Sequence, residues 1–185
     1  MPRAIVVIVL ALVALPQPGR GEEPGGDPFS DPAIGEMALP LAQCALAESG
    51  GHTPDVVAIV WVIGKRARQA GIPPAEMARR YCRIHRDEAR GPGHVRRHRR
   101  WLLELGWQRT QPQPPSWPGG RWSAMQEIWR RTQLLVLLIV SGELDDPCPD
   151  AFHWGSAQDG QPTRTHAVSC GATRNLFWSR PGRGA

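Results

Sequence analysis

The sequence has few of the features that identify a membrane, metal or repeat protein. Its apolar run from Ala4 to Leu15 holds 12 residues, which is too short to span a bilayer comfortably. No Cys follows that run to offer a lipoprotein acylation site, and none of the four Cys forms the Cys-x-x-Cys pair typical of zinc sites. His94 and His98 are spaced like two ligands on a helix, but the surrounding arginines repel cations. With no internal repeat in 185 residues, we expect one ordinary domain, no metal and no cofactor.

The first residues have the pattern of a secretory signal. A basic start is followed by the apolar run and then by Pro and Gly. Pro16 and Pro18 stand where signal cleavage needs small residues, so an uncleaved N-terminal anchor stays open as an alternative. We expect a protein exported to the periplasm or the outside of the cell. The predicted division is a signal peptide at 1–18, a disordered linker rich in Gly, Pro and acidic residues at 19–33, and a folded domain at 34–180.

Four cysteines in an exported chain favour two disulfides. Three pairings are possible, and we favour Cys44–Cys82 with Cys148–Cys170 because each closes a compact local loop.

Lysine is almost absent, so the charge of +5 rests on arginine. Lys65 is the only lysine, and nine of the 22 basic residues fall between Arg79 and Arg100. Arginine suits bidentate contact with phosphate and carboxylate. In an exported protein this stretch favours binding to anionic envelope polymers, with no nucleic acid as partner, and we expect it to serve adhesion and not chemistry. A solvated basic face with no partner is the alternative. We expect a monomer.

The hydrophobic pattern predicts a mainly α-helical protein. Pro54 and Asp55 after Thr53 predict a helix with Thr53 as N-cap, and the apolar run Val56–Ile63 predicts that this helix is buried. After Asp145 the chain is Gly-rich, with room for one small β-hairpin at most. The other predicted segments are a helix at 36–47, a short helix after Pro73-Pro74, a polar loop at 83–93, a helical segment at 94–107, a Pro-rich connector and a long helix at 122–142.

Glu48 follows an Ala/Leu helix and precedes Ser49-Gly50-Gly51 and the buried helix. A helix C-terminus repels a carboxylate, although a solvated Glu beside a Gly turn is common. The glycines allow close approach of the backbone to a ligand, and the next helix places this junction against the core. A carboxylic acid against a desolvating wall has a raised pKa and serves as a general acid.

The stretch "ALAESGGHTPDVVAIVWVIGKRARQAG" resembles the opening of bacterial cell-wall hydrolases related to spore-cortex-lytic enzymes. The pair Glu48-Ser49 is also similar to the motif of lytic transglycosylases of the lysozyme superfamily. The Gly-Leu-Met-Gln segment of typical lytic transglycosylases is absent, so the subfamily stays open. The resemblance implies a lysozyme-like helical domain, Glu48 as catalytic acid/base and Ser49 as a residue that orients substrate.

The segments "CPDAFHWGSAQDG" and "CGATRNLFWS" supply candidate substrate-binding residues. Tryptophan stacks on sugar faces, histidine binds hydroxyl groups, and arginine binds carboxylates such as those of peptide stems. The alternatives are equally open: Trp154 packs in the core, and His153 is a loop residue whose hydrogen bonds are satisfied within the protein. The candidates are His153, Trp154, Arg174, Asn175 and Trp178.

Glycosidases usually carry a second carboxylate. Asp55 is explained by its helix start, and Asp150 and Asp159 are more typical of loop caps. The resemblance implies an alternative that needs one carboxylate only, because in lytic transglycosylases the substrate's own groups complete the reaction.

The predicted function is cleavage of the glycan strands of peptidoglycan, of the lytic transglycosylase or the muramidase/glucosaminidase type. The alternative is a non-enzymatic secreted binding module that uses its arginine-rich face.

Overall fold

The computed structural model describes residues 27–155 and 167–179. The predicted signal peptide, most of the predicted linker and Asp159 lie outside the described residues. The described part is mainly α-helical, as predicted, with a small sheet near its C-terminal end. The elements are α1 Pro32–Ser49, α2 Thr53–Ala70, α3 Pro74–Tyr81, α4 Arg83–Ala89, a 3₁₀ helix Arg97–Arg99, α5 Trp101–Glu104, α6 Trp122–Val140, β1 His153–Gly155, β2 Ala167–Val168 and β3 Leu176–Trp178.

Helix α2 lies at the centre of the core. Three of its apolar residues have no exposed surface, namely Val56, Ile59 and Ile63. This confirms the prediction that the helix is buried. Helices α1, α3 and α6 pack around it. Among the described residues, no helix is both long and apolar enough to cross a membrane.

The two helix N-termini differ from the predicted ones. Helix α1 begins at Pro32, because Asp31 accepts a hydrogen bond from the backbone N–H of Ala33 at 2.8 Å. Helix α2 has His52 as its N-cap, so the prediction of Thr53 was wrong. The side chain of Asp55, in the first turn of α2, is only 1% exposed.

The predicted loop at 83–93 is wrong over its first half, which forms α4. The helix is stable there because Ile84 and His85 are buried on one side, while Arg83 pairs with Asp87 one turn later. The predicted helical segment at 94–107 forms only the 3₁₀ turn and α5.

The C-terminal region forms a three-stranded antiparallel sheet with the order β1-β3-β2. The prediction of at most one small hairpin is therefore wrong, since β3 pairs with strands on both sides. Two disulfides are present, Cys44–Cys82 and Cys148–Cys170, the sequential pairing that we favoured.

Lys65 anchors the segment that leads into this sheet. Its Nζ donates to the Asp146 carboxylate at 2.9 Å and to the carbonyl oxygens of Cys148 and Pro149 at 2.7 and 3.0 Å. An ammonium group has three donors, and all three are used. The lysine thus fastens the Cys148 segment to α2.

Candidate active site

Glu48 is half-buried at the C-terminal end of α1 and lines an open cleft of about 720 Å³. Elements that are distant in the sequence build this cleft: the ends of α1 and α3, the arginine-rich stretch, and strands β1 and β3. The residues that line it are Ala47, Glu48, Tyr81, Arg83, Arg86, Arg96, Arg99, Trp154, Gly155, Asn175 and Trp178.

The turn after Glu48 is fixed by its own hydrogen bonds. The Ser49 Oγ accepts from the N–H of Gly51 at 2.9 Å, and the Gly51 carbonyl accepts from Arg131 on α6 at 3.1 Å. Gly51 has a φ of 84°, and a Cβ there would overlap the Cγ2 methyl of Ile128. Glycine is therefore required where α1 turns into α2. The structure gives Ser49 a role in this turn and does not place it in the cleft lining.

Asp55 joins the start of α2 to the loop before β3. Its carboxylate accepts from the backbone N–H groups of Arg174 and Asn175 at 3.0 and 2.9 Å, and its second oxygen lies 2.8 Å from Nδ1 of His52. The side chain of Asn175 then donates to the main-chain carbonyl oxygen of Glu48 at 3.2 Å. The buried carboxylate thus holds the loop that contacts the Glu48 backbone.

An aromatic cluster lies beside Glu48. The Tyr81 ring meets Trp154 edge-on with ring centroids 4.8 Å apart, and His153 stacks on Trp178 with centroids 5.9 Å apart. The Tyr81 hydroxyl lies 3.0 Å from Nδ1 of His153. Arg66 donates to the same nitrogen at 2.8 Å and lies 3.8 Å from the centre of the Tyr81 ring. These contacts fix the orientation of the rings that face the cleft.

Burial raises the pKa of Tyr81 above 10.0, although the positive charges of Arg66 and Arg86 act in the opposite direction. The nearby Glu48 carboxylate adds to the rise. Tyr81 therefore remains a neutral phenol near neutral pH and keeps a proton to donate.

The cleft is strongly basic. Four of the nine arginines between Arg79 and Arg100 line it, namely Arg83, Arg86, Arg96 and Arg99. Glu48 is the only carboxylate among the described residues that line the cleft. Part of the arginine-rich stretch thus forms a wall of the cleft that contains Glu48.

The cleft brings together four of the predicted site residues: Glu48, Trp154, Asn175 and Trp178. His153 lies behind the lining, where it holds Tyr81 and Trp178. Arg174 is exposed, contributes its backbone N–H to Asp55, and does not line the cleft.

Sequence reasoning missed Tyr81 and Arg66 and misread Asp55. Tyr81 is the only tyrosine of the chain and immediately precedes a cysteine, so its position beside a disulfide was the available signal. Arg66 carried no signal beyond its place at the polar end of α2.

No second carboxylate lines the cleft in the described part of the chain. Asp55 is buried, with backbone N–H groups and His52 on its two oxygens, while Asp150 is exposed outside the cleft lining. The described residues also contain no group of three His, Cys, Asp or Glu side chains that could hold a metal ion.

Comparisons of the chain with protein-family models, with curated proteins and with solved structures gave no match.

Proposed function

We propose that this protein is an exported, lysozyme-like enzyme that cleaves the glycan strands of peptidoglycan with Glu48 as its acid/base. The observation that carries the proposal is the position of Glu48, half-buried in a large cleft between aromatic and basic side chains. A glycan fits such a cleft because its sugars present apolar faces to aromatic rings and hydroxyl groups to polar side chains. The two disulfides are consistent with export.

Protonated Glu48 transfers its proton to the glycosidic oxygen while the bond from that oxygen to the anomeric carbon breaks. The sugar on the non-reducing side becomes oxocarbenium-like, and the other strand leaves as an alcohol. The Glu48 carboxylate, now unprotonated, takes a proton from the nucleophile that attacks the anomeric carbon. This second step restores the acid.

The nucleophile is either water or the 6-hydroxyl of the same sugar. The described lining offers no carboxylate besides Glu48, which favours the intramolecular 6-hydroxyl, because that route needs no second carboxylate. The product is then a 1,6-anhydro sugar.

The muropeptides that the purified protein releases from sacculi test the proposal. Mass spectrometry reports which bond is cut, and an anhydro end is lighter than a reducing end by one water. We expect anhydro-muropeptides. Release of reducing ends would assign hydrolysis instead, and release of no muropeptide from any sacculus type would refute the enzymatic proposal.

The second candidate function is a binding module for anionic polymers. The four arginines of the cleft favour it. The two functions differ in their dependence on Glu48, since a binder does not need a proton donor at that position.

A further inference from the structure

Four arginines line the cleft, and together they indicate a ligand with several negative charges. Arg83 and Arg86 lie on α4, while Arg96 and Arg99 lie at and within the 3₁₀ helix. Two separate segments therefore direct guanidinium groups to one cavity. In the described part of the lining, four positive charges face one carboxylate, Glu48, so the cleft attracts anions.

Among the described residues, most of these guanidinium groups have no anionic partner at close range. Arg83 reaches Asp87 only at 3.6 Å. Arg86, Arg96 and Arg99 form no salt bridge with any described residue. No carboxylate of the described residues therefore competes with a bound anion for the donors of these three arginines.

Three of the four also converge outside the main cleft. Arg83, Arg96 and Arg99 also line a small pocket of about 30 Å³, together with Ile84, Val95 and the Asp87 carboxylate. The Asp87 carboxylate repels an anion from this small pocket, so the main cleft is the place for a bound anion.

We propose that Arg83, Arg86, Arg96 and Arg99 form a carboxylate-binding subsite for the peptide stems of the strand that Glu48 cuts. This assignment rests on the proposed function for the identity of the strand. The planar guanidinium fork matches a carboxylate through two parallel hydrogen bonds. Peptide stems carry free carboxylates and branch from every second sugar, so that their charges lie near each scissile bond.

Phosphate polymers of the envelope offer the same charge but a different geometry. They are joined to a glycan strand at isolated points and do not accompany each scissile bond. The location of the arginines in the Glu48 cleft therefore favours carboxylates of the stems. The sequence pattern suggests Arg174 for the binding of stem carboxylates, but Arg174 is exposed outside the cleft lining. We assign that role to the four arginines of the cleft instead.

Binding is measured by co-sedimentation with sacculi, using the Glu48→Gln protein so that the strands stay intact. In that background, Arg86, Arg96 and Arg99 are replaced by Gln. The matched control replaces Arg79, Arg90 and Arg97, which belong to the same stretch but do not line the cleft. Both triple variants lose the same charge, and thermal unfolding checks that both are folded.

We expect the cleft triple variant to bind native sacculi roughly tenfold more weakly, since three exposed ion pairs are lost. The control variant should lose much less. Amidation of the sacculus carboxylates should weaken the binding of the Glu48→Gln protein by a similar factor. It should hardly change the binding of the cleft triple variant. Removal of phosphate polymers with hydrofluoric acid should change the binding of neither protein.

Equal losses in the two triple variants would overturn the subsite, because only total charge would then matter. Sensitivity to hydrofluoric acid without sensitivity to amidation would also overturn it and assign phosphate. Release of muropeptides by the Glu48→Gln protein in the same samples would refute the role of Glu48, whereas the difference in binding between the two triple variants, which share this background, would still report on the subsite. The two proposals thus fail separately.

Discussion

Asn175 donates a hydrogen bond from its side-chain amide to the main-chain carbonyl oxygen of Glu48 at 3.2 Å. This bond satisfies one of the carbonyl groups that a helix leaves without a partner at its C-terminal end. Because the backbone of Asn175 is held by buried Asp55 at 2.9 Å, the position of Glu48 depends on a loop that is 127 residues away in the sequence.

Asn175→Ala removes the amide that contacts Glu48. We expect the turnover number on soluble glycan oligomers to fall about tenfold, while the free energy of unfolding falls by only about 1 kcal/mol, the usual value for one hydrogen bond. Steady-state kinetics and urea unfolding measure the two effects. A change in KM alone would show that Asn175 binds substrate without positioning Glu48.

Asp55→Asn should destabilise the protein by about 2–4 kcal/mol, because a charged acceptor of backbone N–H groups is replaced by an amide that presents hydrogens to them. Asp150→Asn is the matched control, since Asp150 is exposed. Urea unfolding of both variants checks the prediction. Equal stability of the two variants would contradict the anchoring role of Asp55.

Gly51→Ala and Gly50→Ala separate steric overlap from backbone strain. Both glycines have positive φ, but a Cβ at Gly50 meets nothing within 4 Å, whereas one at Gly51 overlaps Ile128. We expect a cost of about 1 kcal/mol for Gly50→Ala and a clearly larger cost for Gly51→Ala. In the Gly51→Ala protein, Ile128→Ala should recover part of the loss. Equal costs at the two glycines would contradict the close packing of α6 on this turn.

His85 gives the stability a pH dependence. Its burial lowers its pKa below 6.5, although the Pro40 carbonyl and Glu88 partly oppose this shift and Arg79 adds to it. The unfolded chain therefore binds a proton near pH 6.5 before the folded protein does, so the free energy of unfolding decreases as the pH falls below about 6.5. Above that pH, this histidine contributes no pH dependence.

His85→Gln keeps a donor for the Pro40 carbonyl and removes the titration. Urea midpoints at about pH 7.5 and about pH 5 should differ less in this variant than in the parent. If both proteins lost the same stability at the acid pH, His85 would be excluded as the source of that loss.

The sequence was sufficient for the elements that carry strong local signals. Helices α2, α3 and α6 follow from their apolar periodicity and prolines. The cysteine count predicts two disulfides but leaves three pairings open, and the structure shows the favoured one. Helix α4 was missed because its composition is polar, and its stability comes from two buried residues and an ion pair between Arg83 and Asp87.

The candidate site was only partly predictable for a similar reason. Glu48, Trp154, Asn175 and Trp178 could be selected by residue type, because each has a side chain suited to a glycan. The arginines of the cleft and Tyr81 could not be placed there, since their position depends on how α3, α4 and the 3₁₀ helix pack. Asp55 has the local pattern of a helix start, and its bonds to the loop before β3 are visible only in three dimensions.

The rate at which Glu48→Gln protein digests sacculi, compared with the parent, tests the central claim most directly. Gln keeps the size of the side chain but cannot deliver a proton, and general acid catalysis contributes about 10²–10⁴-fold. Glu143→Gln is the control, since Glu143 is exposed and does not line the cleft. We predict a loss of at least a hundredfold for Glu48→Gln, with unchanged folding and an unchanged rate for the control. Digestion by Glu48→Gln at the parental rate would contradict the account.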